Sequence, residues 1–169
     1  TTDRVREALM SSLFSARGGF EGACVLDAFA GSGALGLECL SRGASFCVFC
    51  EQDKEAYRIV SQNIAALGIP KDCFALKRND AFSLPEMTKT VFVMLCFVPP
   101  YEYDPVDISA LLGRLDEAGY IAEGALICYE YAKKDASAVI QALDALKYVH
   151  VSVKNYGDTS LITLRKEQK

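Results

Sequence analysis

"ACVLDAFAGSGALGLECLSRG", residues 23–43, carries the reading of the fold. The segment "ACVLDAF" (23–29) is apolar but for Asp27 and reads as a buried strand. Glycines follow at 31, 33 and 36 in the spacing G-x-G-x-x-G. "ALGLECLSRG" then reads as a short helix that Gly43 stops. A strand that passes through glycines into a helix is the opening unit of an open parallel sheet, with a ligand at the helix N-terminus. Alone, the same spacing also suits a tight turn.

Outward from this unit the alternation continues. "SFCVFCE" (45–51) is a second strand. Residues 53–67 place Ala56, Val60, Ile64 and Leu67 on one helical face, ended by Gly68 and Pro70. "CFALKRND" (73–80) is a third strand, and "TVFVMLCFV" (90–98) a fourth, apolar on both faces and so expected in mid-sheet. Asp107 is expected to cap a helix that buries Ile108, Leu111, Leu112 and Leu115. "GALICYEY" (124–131) is a fifth strand. Asp135 is expected to cap a helix with Val139, Leu143 and Leu146 inward. The tail "YVHVSVKNYGDTSLITLR" reads as two strands of a hairpin turning between Asn155 and Asp158. The expectation is one α/β domain over residues 1–169, with a mostly parallel sheet, helices on both faces and a C-terminal antiparallel hairpin.

Composition narrows the function. The net charge is −4, against a strongly basic nucleic-acid surface. No apolar run reaches the roughly 18 residues needed to span a bilayer, and the N-terminus lacks a secretory signal's layout. A cytoplasmic, non-membrane protein is expected. Seven cysteines lie mostly inside apolar runs and read as buried free thiols. Cys47 and Cys50 spell C-x-x-C, but three residues apart on a strand they point to opposite faces. With a single histidine, His150, no metal site is expected.

In an open sheet of this kind the chemistry sits in loops at the carboxyl ends of the strands. The first loop offers Ala30, Gly31, Ser32 and Gly33, with Asp27 at the strand end. A carboxylate there repels a pyrophosphate and suits a cation such as an amino acid's ammonium. Glu51 ends the second strand, eighteen residues after Gly33, where an acid accepts from ribose hydroxyls. Asn79 and Asp80 end the third, where Asp80 can accept from an adenine amine; the pair also suits a plain turn. An ammonium, a ribose and an adenine without a phosphate describe S-adenosylmethionine. A nicotinamide-dependent oxidoreductase would use the same glycines but gives the fourth loop no role.

That loop is Val98-Pro99-Pro100-Tyr101. Prolines lack an N–H, so they offer carbonyls only, and they stiffen the turn. A rigid carbonyl beside an aromatic ring suits a planar amine: Pro99 accepts from the NH2 and Tyr101 stacks on the base.

The blocks "TTDRVREAL" (1–9), "VLDAFAGSGALGLECLSRGA" (25–44), "PPY" (99–101) and "YGDT" (156–159) resemble those of the bacterial 16S ribosomal RNA (guanine-N2) methyltransferases of the RsmD type, along nearly the whole chain. The resemblance implies a seven-stranded Rossmann-like methyltransferase fold, S-adenosylmethionine as cofactor, and methylation of N2 of one guanine in 16S rRNA, as free RNA or in a small-subunit assembly particle; a monomer is expected. The base would be flipped out of its stack. Two departures stand out. The family's short basic hairpin before the first block is missing from the chain as it stands, so weak RNA binding is expected. Val98 occupies the position where the family carries an acid, D-P-P-Y having become V-P-P-Y. A relative that binds cofactor or RNA but turns over poorly is the alternative this raises. Glu102, Asp104 and Asp107 are downstream acids that could replace the missing one, and Arg4 and Arg6 either face the site or lie on a solvated helix face.

Overall fold

A computed structural model of the chain describes residues 2–168. Helix α1 (Asp3–Arg17) starts where the Thr2 hydroxyl accepts from the Val5 amide and stops at Gly18, which turns left-handed with φ 87°. The chain then alternates: β1 (Cys24–Asp27), α2 (Ala34–Ser41), β2 (Phe46–Cys50), α3 (Lys54–Ala66), β3 (Phe74–Lys77), α4 (Leu84–Met87), β4 (Phe92–Phe97), α5 (Pro105–Glu117), β5 (Ile121–Ala132) and α6 (Ala136–Leu143). Strands β6 (Val149–Tyr156) and β7 (Thr159–Arg165) close the chain as a hairpin.

All seven strands form one sheet in the order β3-β2-β1-β4-β5-β7-β6. The first five pair in parallel, and β7 runs antiparallel to both β5 and β6. Strand order therefore reverses between β1 and β4, the crevice where open α/β sheets bind ligands.

Side-chain alternation gives the sheet a core on each face. Val25, Phe49, Met94 and Cys128 pack with Leu9, Leu13, Leu37 and Val60 of α1, α2 and α3. Leu26, Val48, Leu95 and Ile127 pack with Leu84, Leu111, Leu112 and Val139 of α4, α5 and α6. Cys47 lies in the first layer and Cys50 in the second, so the two thiols are on opposite sides of β2 and free. Among the described residues no helix is long and apolar enough to cross a membrane.

Several helix details differ from expectation. Asp104, not Asp107, caps α5, its carboxylate 2.9 Å from the Val106 amide. Pro105 sets the first helical φ, so the helix begins three residues earlier. Leu67 is exposed, because α3 ends at Ala66 and Leu67 is its C-cap, beyond the buried face of Val60 and Ile64. Asp135 stands at the N-cap of α6 but makes no side-chain cap bond, since a 3-10 turn (Lys133–Asp135) leads directly into the helix. Leu146 is half-buried in a separate 3-10 turn beyond α6.

Candidate functional site

The carboxyl ends of β1 to β5 surround a cavity of about 770 Å³, within the size range of small-molecule sites. The loop after β1 forms its floor. Ala30 donates to the Cys50 carbonyl, at 2.9 Å, which pins the loop to β2. Gly31 and Gly33 then take left-handed φ values of 56° and 83°. A Cβ on Gly31 would meet open space, so this glycine presents bare backbone to the cavity. A Cβ on Gly33 would lie 2.4 Å from Val60 Cγ2, and one on Gly36 2.4 Å from Phe49 Cε1. These two glycines serve the close packing of α2 on α3 and the sheet.

Glu51 clasps two loops. One carboxylate oxygen accepts from the Gly31 amide at 2.8 Å and the other from the Asp53 amide at 2.9 Å. Asp80 caps the turn after β3, accepting from the Phe82 amide at 3.0 Å. The Asn79 carbonyl accepts from the Cys50 thiol at 3.3 Å. Burial pushes that thiol up to about 12, so it stays protonated.

On the opposite wall stand Val98, Pro99, Pro100 and Tyr101. The Tyr101 phenol donates to Glu130 Oε1 at 3.0 Å and lies 2.9 Å from Thr159 Oγ1. Burial raises the phenol's proton affinity; the Thr159 hydroxyl lowers it and the Glu130 carboxylate raises it again. Tyr101 therefore remains a donor at neutral pH.

Of the expected residues, Ala30, Gly31, Ser32, Glu51, Asn79, Asp80 and all four of the loop at 98–101 line this one cavity. Asp27 and Gly33 do not. The Asp27 carboxylate is buried beneath the loop, 3.1 Å from the Gly36 amide. Burial lifts its pKa from the ordinary 3.8 to about 7, the Gly36 bond pulls it down and Glu51 pushes it up. It ties β1 to α2 and does not face the cavity. Arg6 lines the mouth, paired with Asp3 at 2.7 Å, while Arg4 lies over the Tyr156 ring at 5.2 Å. None of the downstream acids that could have replaced the missing one, Glu102, Asp104 and Asp107, lines the cavity.

The sequence reading missed Phe29, Gln52, Tyr103, Glu130 and Thr159, all of which line the cavity. Phe29 and Tyr103 pack with ring centroids 5.9 Å apart, and Gln52 donates to the Tyr103 hydroxyl at 3.1 Å. Glu130 had a signal: it is a lone acid near the end of the apolar run "GALICYEY". A carboxylate only 4% exposed at the carboxyl end of a central strand needs a reason to be there.

The strand order, the cavity at the reversal point and the prolyl-prolyl-tyrosyl wall define a Rossmann-like methyltransferase fold. The chain belongs to the family described as Conserved hypothetical protein 95, whose model matches residues 1–165. It is 36% identical over 137 residues to YlbH of Bacillus subtilis (strain 168), provisionally named an rRNA methyltransferase, across 79% of this chain and 71% of that one. It is 34% identical over 130 residues to ribosomal RNA small subunit methyltransferase D of Escherichia coli (strain K12), across 77% of this chain. That match spans 62% of the Escherichia coli protein, less than two thirds of its length. Among solved structures, YhhF from Escherichia coli, provisionally named a methyltransferase, superposes with a TM-score of 0.83 at 27% identity, over all of this chain and 89% of that one.

Proposed function

We propose that the chain is an S-adenosylmethionine-dependent methyltransferase that modifies the N2 amine of a guanine in small-subunit (16S) rRNA. The observation that carries this reading is the shared cavity. Its floor offers the bare Gly31 backbone with Glu51 and Asp80, and its wall offers Pro99, Tyr101 and Glu130. The first set fits the cofactor: open space at Gly31, a carboxylate at the ribose position and another beside the adenine position. When bound, that cofactor supplies an electrophilic methyl group on a sulfonium. The names of the relatives support an rRNA substrate.

In this reading Glu51 and Asp80 orient the nucleoside end while the Gly31 backbone leaves room for the amino-acid end. The Pro99 carbonyl accepts from the target amine and aims its lone pair. The Tyr101 ring supplies a stacking face at the mouth, where it is 45% exposed. Aiming matters because an exocyclic amine is a poor nucleophile, so orientation and charge stabilisation supply the rate. The protein is proposed to work as a cytoplasmic monomer on 16S rRNA or a small-subunit assembly particle. Val98 favours a second reading, in which cofactor and RNA bind but turnover is slow, because valine cannot accept from the amine.

Calorimetry with S-adenosylmethionine and with NADH tests the cofactor, and transfer of labelled methyl to small-subunit rRNA from cells lacking the enzyme tests the reaction. S-adenosylmethionine is expected to bind and NADH not to. The reverse result would end the methyltransferase reading.

A further inference from the structure

We propose that Glu130 is the specificity-determining residue of the base subsite, its carboxylate accepting from the adjacent N1–H and N2–H of the target guanine. This deepens the proposed methyl transfer to a guanine amine and rests on it.

Position is the first argument. Phe97 of β4 pairs with Tyr129 of β5. Val98 and Glu130 are the next residues along these two parallel strands. Val98 packs against the layer that holds Cys96 and Cys128, and alternation puts Glu130 on the same side as Cys128. The acid absent at position 98 thus has a carboxylate for its neighbour one strand away, and both residues line the cavity.

Holding is the second. Tyr101 donates to Glu130 at 3.0 Å, and Thr159 reaches the same phenol at 2.9 Å. The stacking wall and the carboxylate are therefore one unit, joined by the first residue of β7. The "YGDT" block gains a role here: its tight turn brings Thr159 to the site. A carboxylate offers about four acceptor positions, and the Tyr101 bond takes one of them.

Base chemistry is the third. Guanine presents two donors side by side, N1–H and N2–H, which match the two oxygens of a carboxylate. Adenine and cytosine place a ring acceptor beside the amine. That acceptor would face a carboxylate oxygen with no proton between them, and the mismatch rejects the wrong base.

The test compares single-turnover methyl transfer to two RNAs. One carries the guanine that the chain methylates in small-subunit rRNA; the other has 2-aminopurine in its place, which keeps the N2 amine but makes N1 an acceptor. The natural chain is expected to methylate 2-aminopurine at least tenfold more slowly than guanine. Glu130→Gln offers a carbonyl and an NH2, the complement of 2-aminopurine. It is expected to narrow or invert that preference at least tenfold, with affinity for S-adenosylmethionine unchanged. Equal rates of the natural chain on both RNAs overturn the proposal without any variant, and so does an unchanged preference in Glu130→Gln. If the natural chain is silent, the same pair of RNAs is compared in Val98→Asp. Silence of both chains on all small-subunit RNA overturns the proposed function instead.

Discussion

The Tyr101 phenol lies 3.0 Å from the Glu130 carboxylate and joins the loop after β4 to the end of β5 across 29 residues of sequence. Tyr101→Phe keeps the ring and removes this bond together with the one to Thr159. A hydrogen bond to a charged group contributes about 1.5–3 kcal/mol. If the bond holds the carboxylate for the reaction, methyl transfer slows about 10- to 150-fold. Cofactor affinity is expected to stay within about twofold, read by calorimetry beside the single-turnover rate. A Tyr101→Phe chain as fast as the natural one would show that the phenol only braces the loop.

Glu51→Ala is expected to weaken S-adenosylmethionine binding about ten- to a hundredfold, from the loss of one charge-assisted hydrogen bond. The Gly31 and Asp53 amides also lose their acceptor, so the floor loosens at the same time. Titration calorimetry reads this directly. An affinity within a factor of three of the natural chain would place the ribose contact elsewhere.

Val98→Asp restores an acceptor beside the Pro99 carbonyl. The expected gain in single-turnover rate is at least tenfold, from about 1.5–3 kcal/mol for the added charge-assisted bond. A rate no higher than that of the natural chain would show that Glu130 alone suffices.

Gly31 and Gly33 of the first loop and Gly36 of α2 are expected to respond differently to substitution. Gly36→Ala must displace Phe49 and Cys47, contacts of 2.4 and 2.7 Å, and overpacking of this kind costs about 1–3 kcal/mol. Gly33→Ala meets Val60 at 2.4 Å and adds strain at φ 83°. Gly31→Ala meets nothing and carries only the left-handed cost, about 1 kcal/mol. Thermal melts should therefore leave Gly31→Ala the most stable of the three, whereas its cofactor affinity should fall because the methyl group enters the cavity. A melting order that put Gly31→Ala lowest would contradict the packing assigned to Gly33 and Gly36.

Asp27 gives a prediction in pH. Its folded pKa, about 7, lies above the ordinary 3.8, so the folded chain holds a proton that the unfolded chain releases between these values. Folding takes up that proton, and stability contributed by this group falls as pH rises from about 4 to 7. The full difference is on the order of 4 kcal/mol at 1.36 kcal/mol per pKa unit. Asp27→Asn keeps an acceptor for the Gly36 amide and has no charge to bury. Denaturant unfolding should show Asp27→Asn gaining on the natural chain across this window. Parallel pH profiles for the two proteins would mean that Asp27 is ionised at neutral pH and compensated.

Much of this architecture is local and could be read from residue patterns. Apolar runs of strand length and the alternating tail placed all seven strands, and helical periodicity placed α2, α3, α5 and α6, whereas α1 and α4 went unread. Residues 31, 51, 80 and 99–101 gather in one cavity because parallel strands direct their carboxyl ends to one edge of the sheet. Even the split of Cys47 and Cys50 between two layers follows from strand alternation.

The pairings across the sheet were not legible in this way. Whether Asp27 turns to a ligand or to Gly36 depends on where α2 packs, and that packing leaves the carboxylate buried under the loop. Asp104 and Asp107 are equally plausible caps by residue type; the start of α5 at Pro105 chose between them. Glu130 shares no local motif with Val98 or Tyr101. Register between β4 and β5, set by side chains interlocking along both strands, brings them together. Residue pattern determines which face a side chain takes, but its partner is chosen by the packing of segments distant in the chain.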